Sequence, residues 1–291
     1  MNGRHTGPWP AQNDERSVQR WLEDWIGGEE AASTVRLLLH HVTGKDRGLR
    51  LIGHLYSESE LNRLAACARA CSEGKPVQHV LGWTVFHGLE LKSDERALIP
   101  RPETEELAAW VLTWVREHRA NRVCDAGTGS GCLALALKAG WGAAEVVGVD
   151  ASPEALSLAQ ENGDRLGLAV TWQRARFEDL ANLAVPPFDA VVSNPPYIPR
   201  SERRLMDAVV VEHDPHEALF VPDETPLVHY RTLIEQCDAG GALRPGGLLA
   251  FEVHEAFAAD VAALFAGWLN PTIHRDLQAK PRMVTAQRPS R

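Results

Sequence analysis

The tetrapeptide Asn194-Pro195-Pro196-Tyr197 contains residue types that could hold a planar polar group. It follows an apolar run, residues 188–193, whose composition is typical of a buried strand. Because two consecutive prolines lack the N–H donors of a sheet ladder, the chain must leave the sheet at Asn194. Ligands bind at the carboxyl ends of strands in open α/β sheets, and an Asn amide offers one acceptor and two donors. The tetrapeptide therefore predicts either a slot for a planar polar group or a simple proline-rich turn.

A glycine-rich loop follows an earlier predicted strand and precedes a predicted helix, residues 133–137. Glycines there allow a tight turn and close approach of a ligand, and the helix N-terminus presents unpaired N–H groups. Asp150 ends the next predicted strand, 19 residues after Gly131, where its carboxylate could accept hydrogen bonds from both hydroxyls of a ribose. Together these features predict a site for a nucleoside-containing cofactor. The loop residues assigned to this site are Gly127, Thr128, Gly129, Ser130 and Gly131.

Alternating strands and helices must bring these two motifs together. After Arg122 the pattern predicts an α/β domain with a doubly wound, largely parallel sheet and helices on both faces. Upstream, apolar residues recur at helical spacing, which predicts a small helical bundle, and a strand-like stretch broken at His87-Gly88 predicts a β-hairpin. The predicted divisions are a disordered tail (1–16), an N-terminal helical domain (17–80), a β-hairpin linker (81–96) and a catalytic domain (97–291).

Composition narrows the functional classes. A net charge of −9 disfavours a large sequence-independent grip on a phosphate backbone. The five cysteines form no C-x-x-C pair, which argues against a disulfide framework and a zinc ribbon. The sequence lacks an apolar run long enough to span a bilayer and a secretory signal, so we expect a cytoplasmic protein without membrane association. His213, Asp214, His216 and Glu217 lie close together in sequence, but solvated loop residues are the better interpretation, and we expect no metal.

The motifs resemble those of a known family. A dinucleotide fingerprint is G-x-G-x-x-G, whereas this loop is G-x-G-x-G with Asp125 two residues before it, similar to the S-adenosylmethionine loop of class I methyltransferases. The tetrapeptide resembles the [D/N/S]-P-P-[Y/F/W] motif of members that methylate planar amino or amide nitrogens. Residues 74–82 and 98–105 are similar to G-x-P-x-Q-[YH]-[IV]-x-G and I-P-R-P-[ED]-T-E segments. From about residue 18 onward, the chain resembles the HemK-type protein-(glutamine-N5) methyltransferases of class I peptide-chain release factors.

This resemblance implies a class I S-adenosylmethionine-dependent methyltransferase with a Rossmann-like sheet. It implies S-adenosyl-L-methionine as cofactor, class I release factors as protein substrate, and methyl transfer to the amide nitrogen (N5) of a glutamine in a Gly-Gly-Gln motif. Asn194 and the Pro195 carbonyl would accept the amide N–H bonds, Pro196 would shape the slot and Tyr197 would pack on the amide plane. The helical bundle would dock the substrate. Besides the loop and Asp150, the implied cofactor-binding residues are Asn194, Arg101, Glu105, Arg176 and Phe177.

The sequence departs from the family where the adenine would lie. The family often has Gly-Asp before an aromatic pair, and this chain has Arg174-Ala175-Arg176-Phe177. A side-chain contact from an aspartate is therefore not expected here, whereas a backbone contact near Arg176 and packing by Phe177 are.

Two rival functions use the same motifs. An adenine-N6 methyltransferase acting on DNA or RNA would place an adenine amino group in the same slot, and a non-catalytic binding module could retain the fold. The acidic balance and the segments at 74–82 and 98–105 disfavour the first, so no direct nucleic-acid partner is expected. The intact glycine loop, Asp150 and the tetrapeptide disfavour the second.

Overall fold

In a computed structural model of the chain, the described residues are 9, 10, 12–206 and 208–290. They divide into two compact units. The first contains the described residues up to Gly82 together with the helix Ala208–His213, and the second contains Trp83 to Met206 and the residues from Asp214 onward. Most of the tail predicted over residues 1–16 lies outside the described residues.

The α-helices and strands of the described residues alternate through most of the second unit. The α-helices are α1 (Glu15–Ile26), α2 (Ala31–Thr43), α3 (Arg47–Leu51), α4 (Glu58–Ser72), α5 (Val77–Leu81), α6 (Pro102–Glu117), α7 (Cys132–Gly140), α8 (Pro153–Leu166), α9 (Ala208–His213), α10 (His216–Leu219), α11 (Val228–Cys237) and α12 (Ala258–Leu264). The strands are β1 (Trp83–Phe86), β2 (Leu89–Lys92), β3 (Arg122–Ala126), β4 (Glu145–Asp150), β5 (Thr171–Arg174), β6 (Phe188–Ser193), β7 (Ile198–Pro199), β8 (Phe220–Val221), β9 (Leu243–Glu252), β10 (Leu269–Arg275) and β11 (Pro281–Gln287). Short 3₁₀ turns cover Phe177–Asn182, Arg200–Leu205 and Glu255–Phe257.

The first unit is a helical bundle. Its helix α4 begins with a capping box, because Ser57 Oγ accepts from the Glu60 N–H at 3.2 Å and the Glu60 carboxylate accepts from the Ser57 N–H at 2.8 Å. Helix α1 begins at Glu15, so its first two residues overlap the tail expected over residues 1–16. The buried Glu15 carboxylate there accepts a 3.0 Å bond from the buried Arg50 guanidinium, which ties the helix start to the bundle. Residues that are fully buried in this bundle include Val18, Leu22, Val35, Leu38, Leu39 and Leu64.

The second unit is built on a seven-stranded sheet with the order β10-β11-β9-β6-β3-β4-β5. The five strands from β9 to β5 pair in parallel, and β11 and β10 add antiparallel strands at one edge. Successive residues of β3 face opposite sides, so Val123 packs with α6 and α7 while Cys124 packs with α11 and α12. The expected doubly wound, largely parallel sheet is confirmed.

The order of the parallel strands creates a crevice. From β3 the chain proceeds outward through β4 and β5, then returns to place β6 on the other side of β3. The loops after β3 and β6 therefore diverge at a topological switch point, where ligands bind in open α/β sheets. The glycine loop follows β3, Asp150 ends β4 and Asn194 follows β6.

The predicted β-hairpin comprises β1 and β2, which turn at His87 (φ 50°) and Gly88 (φ 79°). It belongs to the second unit. The buried Asn162 side chain accepts from the Lys92 N–H at 2.6 Å and donates to the Ser130 carbonyl at 3.0 Å, so one amide connects the hairpin to the glycine loop. Among the described residues, none of the helices has the length and apolar character needed to cross a membrane.

Candidate active site

A cavity of about 430 Å³ opens at the carboxyl ends of β3, β4 and β6. Most of the residues that the sequence predicts for the site line this cavity. The predicted residues that line it are Arg101, Gly127, Thr128, Gly129, Ser130, Asp150, Arg176, Phe177, Asn194 and Pro196. The predicted residues that are not part of its lining are Glu105, Gly131, Pro195 and Tyr197.

The glycine loop is held against β4 by its own backbone. The Gly127 and Thr128 N–H groups both donate to the Val149 carbonyl, at 2.8 and 2.9 Å. Gly131 has φ +82°, and a Cβ on it would lie 2.9 Å from a ring carbon of Trp172 and 3.1 Å from the Ala159 Cβ. Gly131 therefore packs against Trp172 and Ala159, on the side of the loop that faces away from the cavity.

Asp125, near the end of β3, stabilises the glycine loop through hydrogen bonds. Its Oδ2 accepts hydrogen bonds from the Thr128 hydroxyl at 2.6 Å and from the Ala134 N–H at 3.0 Å, while its buried Oδ1 finds no hydrogen-bond partner within the described part of the chain. Burial, together with a smaller effect of the nearby Asp150 charge, raises the pKa of Asp125 to about 7. A single carboxyl thus links the end of β3, the loop and the first turn of α7.

Asp150 has two tasks in the structure. Its Oδ2 accepts from the Gly129 N–H and its Oδ1 from the Ser152 N–H, both at 2.9 Å. Burial raises the pKa of Asp150, although the backbone N–H bonds favour its charged form. Each carboxylate oxygen can accept more than one hydrogen bond, so the side chain both braces the loop and can accept from hydroxyls in the cavity.

Asn194 is held by a chain of hydrogen bonds from elements distant in sequence. Its Nδ2 donates to the Thr104 hydroxyl at 3.1 Å, and the Thr104 hydroxyl donates to Glu252 Oε2 at 2.7 Å. The Tyr197 hydroxyl donates to Glu252 Oε1 at 3.0 Å. Burial raises the pKa of Glu252, and these two hydroxyl bonds oppose that effect. Tyr197 is thereby drawn toward Glu252 and is not part of the cavity lining.

Sequence reasoning assigned no role to Thr104 or Glu252. Thr104 lies within the 98–105 segment, and Glu252 is a single acidic residue in the apolar run of β9. A carboxylate at a buried strand position requires partners, and that signal was available in the sequence.

Of the two predicted residues near the start of α6, Arg101 lies at the cavity and Glu105 does not. Arg101 lines the cavity and donates to the buried carboxylate of Asp214 at 2.7 Å. Glu105 does not line the cavity. Neighbouring helix residues point about 100° apart, and Thr104 already directs its side chain toward Asn194 and Glu252.

The wall expected to face an adenine contains Arg176, Phe177 and also Ala175 and His229. The Phe177 and His229 rings meet edge to face with centroids 5.2 Å apart. Burial lowers the pKa of His229, which favours the neutral imidazole. Phe177 also restricts the space for a side chain at position 127, because a Cβ on Gly127 would lie 3.2 Å from the Phe177 ring. Sequence reasoning assigned no role to His229. Among the described residues, no group of three or more His, Cys, Asp and Glu side chains is placed to hold a metal ion.

The fold and this site define a methyltransferase of the class I type. A family described as "Methyltransferase domain" matches residues 123–211, and one described as "PrmC N-terminal domain" matches residues 25–82. The catalytic domain of hMettl16, solved with the MAT2A 3′UTR hairpin 6, aligns over 82% of this chain and 85% of its own, with a TM-score of 0.50 and 16% identity. This likeness concerns the fold alone.

Sequence relatives identify the family. The release factor glutamine methyltransferase of Deinococcus radiodurans is 41% identical over 258 residues, covering 87% of this chain and 90% of the relative. Those of Bacteroides thetaiotaomicron and Bradyrhizobium diazoefficiens are 36% and 37% identical, covering 93% and 99% of this chain and 98% and 99% of the relatives. The chain belongs to the release factor glutamine methyltransferase family.

Proposed function

We propose that this chain transfers a methyl group from S-adenosyl-L-methionine to the side-chain amide nitrogen of the glutamine in the Gly-Gly-Gln motif of class I peptide-chain release factors. The observation that carries the proposal is the state of Asn194. Its Nδ2 is committed to Thr104, which leaves Oδ1 to accept from a guest in the cavity. A primary amide has the donor that this acceptor requires.

The cavity fits the methyl donor on three grounds. Its volume of about 430 Å³ lies within the range of roughly 300–1,000 Å³ typical of ligand pockets. The glycines at 127 and 129 adopt positive φ values of 77° and 55°, so bare backbone faces the ligand. Asp150 can accept from ribose hydroxyls, and Phe177 offers an aromatic surface for the adenine.

The residues of this chain would act chiefly by orientation. When bound, S-adenosylmethionine supplies the methyl group from a sulfonium sulfur, and this sulfur leaves as a neutral thioether without the help of an acid. Asn194 Oδ1 and, as the sequence predicts, the Pro195 carbonyl would accept the two amide N–H bonds and aim the nitrogen at the methyl group. Positive charge develops on that nitrogen during attack, and acceptors already in place stabilise it. The amide proton then leaves to water.

The helical unit is proposed to dock the protein substrate. Its segment 49–55 exposes four large apolar side chains: Leu49 is 61% exposed, Leu51 50%, Ile52 82% and Leu55 70%. Clustered apolar exposure marks interaction surfaces. Changing Ile52 and Leu55 to Ser should raise KM for intact release factor and leave turnover of a short Gly-Gly-Gln peptide unchanged. Leu205→Ser, at a position 85% exposed in the second unit, is the control.

Methyl transfer by the full chain tests the proposal directly. Radiolabelled S-adenosylmethionine is offered with class I release factor, with the same factor carrying Gln→Ala in its Gly-Gly-Gln motif, with DNA and with tRNA. We expect label only in the unaltered release factor, mapped to the glutamine by mass spectrometry. Label in a nucleic acid, or in the factor that lacks the glutamine, would overturn the proposal.

A further inference from the structure

We propose that Thr104 and Glu252 are positioning residues that set the amide orientation of Asn194, so that the site presents an acceptor to its guest. The inference rests on the proposed function for its kinetic consequence, and on the hydrogen bonds alone for its structural one. Neither residue needs to touch the substrate's reacting atoms in this role.

The direction of each bond follows from counting protons. The Glu252 carboxyl accepts hydrogen bonds from both the Thr104 and the Tyr197 hydroxyls. Thr104 has a single hydroxyl proton, which the 2.7 Å bond to Glu252 uses. The Thr104 oxygen therefore acts as an acceptor toward Asn194. Of the two ends of the Asn194 amide, only Nδ2 can donate to it.

A rotated Asn194 amide is disfavoured by the same count. Turning the amide by 180° would bring Oδ1 against the Thr104 oxygen, so that two acceptors face each other. It would also direct the NH₂ group into the cavity, where it meets the donor N–H of an incoming amide. Both contacts oppose the rotated state, and an unmet polar contact at a buried site is costly.

Glu252 is connected by hydrogen bonds to both ends of the tetrapeptide, through Thr104 to Asn194 and directly to Tyr197. It ends β9, is 1% exposed, and pairs with Met283 on β11. The Tyr230 hydroxyl donates to its backbone carbonyl at 3.1 Å, which fixes the strand end from the α11 side. One buried carboxyl thus holds Asn194 through Thr104 and holds Tyr197 directly, and these two residues flank the proline pair in the sequence.

Thr104→Val and Thr104→Ser separate positioning from packing. Valine keeps the shape and removes both hydrogen bonds, whereas serine keeps the hydroxyl. We expect Thr104→Val to lower kcat about 10- to 100-fold with the Kd for S-adenosylhomocysteine within about twofold, and Thr104→Ser to retain kcat within about threefold. Thr285→Val is the matched control, because Thr285 is also buried and hydrogen-bonded, to His274 at 2.9 Å, outside the cavity lining. It should leave kcat unchanged.

A second readout is independent of the release factor assay. In full-length protein labelled with ¹⁵N-asparagine, the Asn194 NH₂ signals are assigned by their loss in Asn194→Asp. Their hydrogen exchange should be slow in the wild type and in Thr104→Ser, and faster in Thr104→Val. Unchanged exchange and unchanged kcat in Thr104→Val would overturn the inference. An inactive wild-type enzyme with the expected exchange pattern would instead overturn the proposed function and support the positioning.

Discussion

Asp125→Asn should remove a pH dependence from the stability of this protein. Asp125 is fully buried beneath the glycine loop, and its Oδ1 has no hydrogen-bond partner among the described residues. The Oδ2 accepts from Thr128 and Ala134, which an Asn oxygen can also do. The substitution therefore keeps the shape and those two bonds while removing the titratable group.

The sign and size of the effect follow from the shift. Burial raises the pKa of Asp125 from 3.8 to about 7, so between those values the folded chain retains a proton that the unfolded chain releases. The associated stability is fully present below pH 4 and is lost as the pH rises toward 7. At 1.36 kcal/mol per pKa unit, the wild type should lose about 2.5 kcal/mol relative to Asp125→Asn between pH 5 and pH 8.

Urea unfolding followed by circular dichroism, at several pH values and constant ionic strength, measures this difference. Titrating groups that are common to both proteins cancel when the two free energies of unfolding are subtracted. A difference between wild type and Asp125→Asn that stays constant from pH 5 to pH 8 would refute the reasoning about burial.

Three further substitutions test the site and the loop. Asn194→Ala should lower methyl transfer by about 100-fold or more, since losing a preorganised hydrogen-bonding group costs about 3–4 kcal/mol in the transition state, while cofactor Kd changes little. Asp150→Ala should weaken S-adenosylhomocysteine binding about 10- to 100-fold by calorimetry, because it removes a charged acceptor and the brace on Gly129. Gly131→Ala should destabilise the fold by about 2–4 kcal/mol, measured by urea unfolding, because it combines a positive φ with contacts to Trp172 that are too short.

Each of these predictions has an outcome that contradicts it. Near-wild-type turnover of Asn194→Ala would exclude its assigned role in orienting the amide. Unchanged calorimetric affinity of Asp150→Ala would remove the carboxylate from cofactor binding. For Gly131, the control is Gly167→Ala, which has φ +65° and open space around its Cβ, so only the conformational cost of about 1 kcal/mol applies. Equal losses at both positions would rule out the packing contribution.

The parts of this protein that could be predicted from sequence are those whose physical cause is local. The prolines at 195 and 196 end β6 because they lack N–H donors, wherever β6 lies in the sheet. The capping box at Ser57 forms between residues three apart in the chain. The glycine loop has its positive φ values because the turn from β3 into α7 requires them. Local backbone chemistry determines all three features.

The sequence could not predict which of these residues would face the cavity. Gly131 belongs to the glycine loop by sequence, but contacts with Trp172 and Ala159 place it under the loop. Tyr197 belongs to the tetrapeptide, but Glu252 draws its hydroxyl away from the cavity lining. In both cases the deciding neighbour is on another strand or helix. Spacing along the chain carries no information about such contacts.

By itself, the sequence determined the sheet class, the glycine loop and the residues that end each strand of the site, since periodicity and backbone chemistry specify them. The tertiary structure decided how the slot is oriented. Thr104 and Glu252 are 148 residues apart in the chain, and they meet because α6 packs against the sheet beside β9. Their hydrogen bond fixes which end of the Asn194 amide faces the guest. The register of distant elements sets such a contact, and only the folded chain brings those elements together.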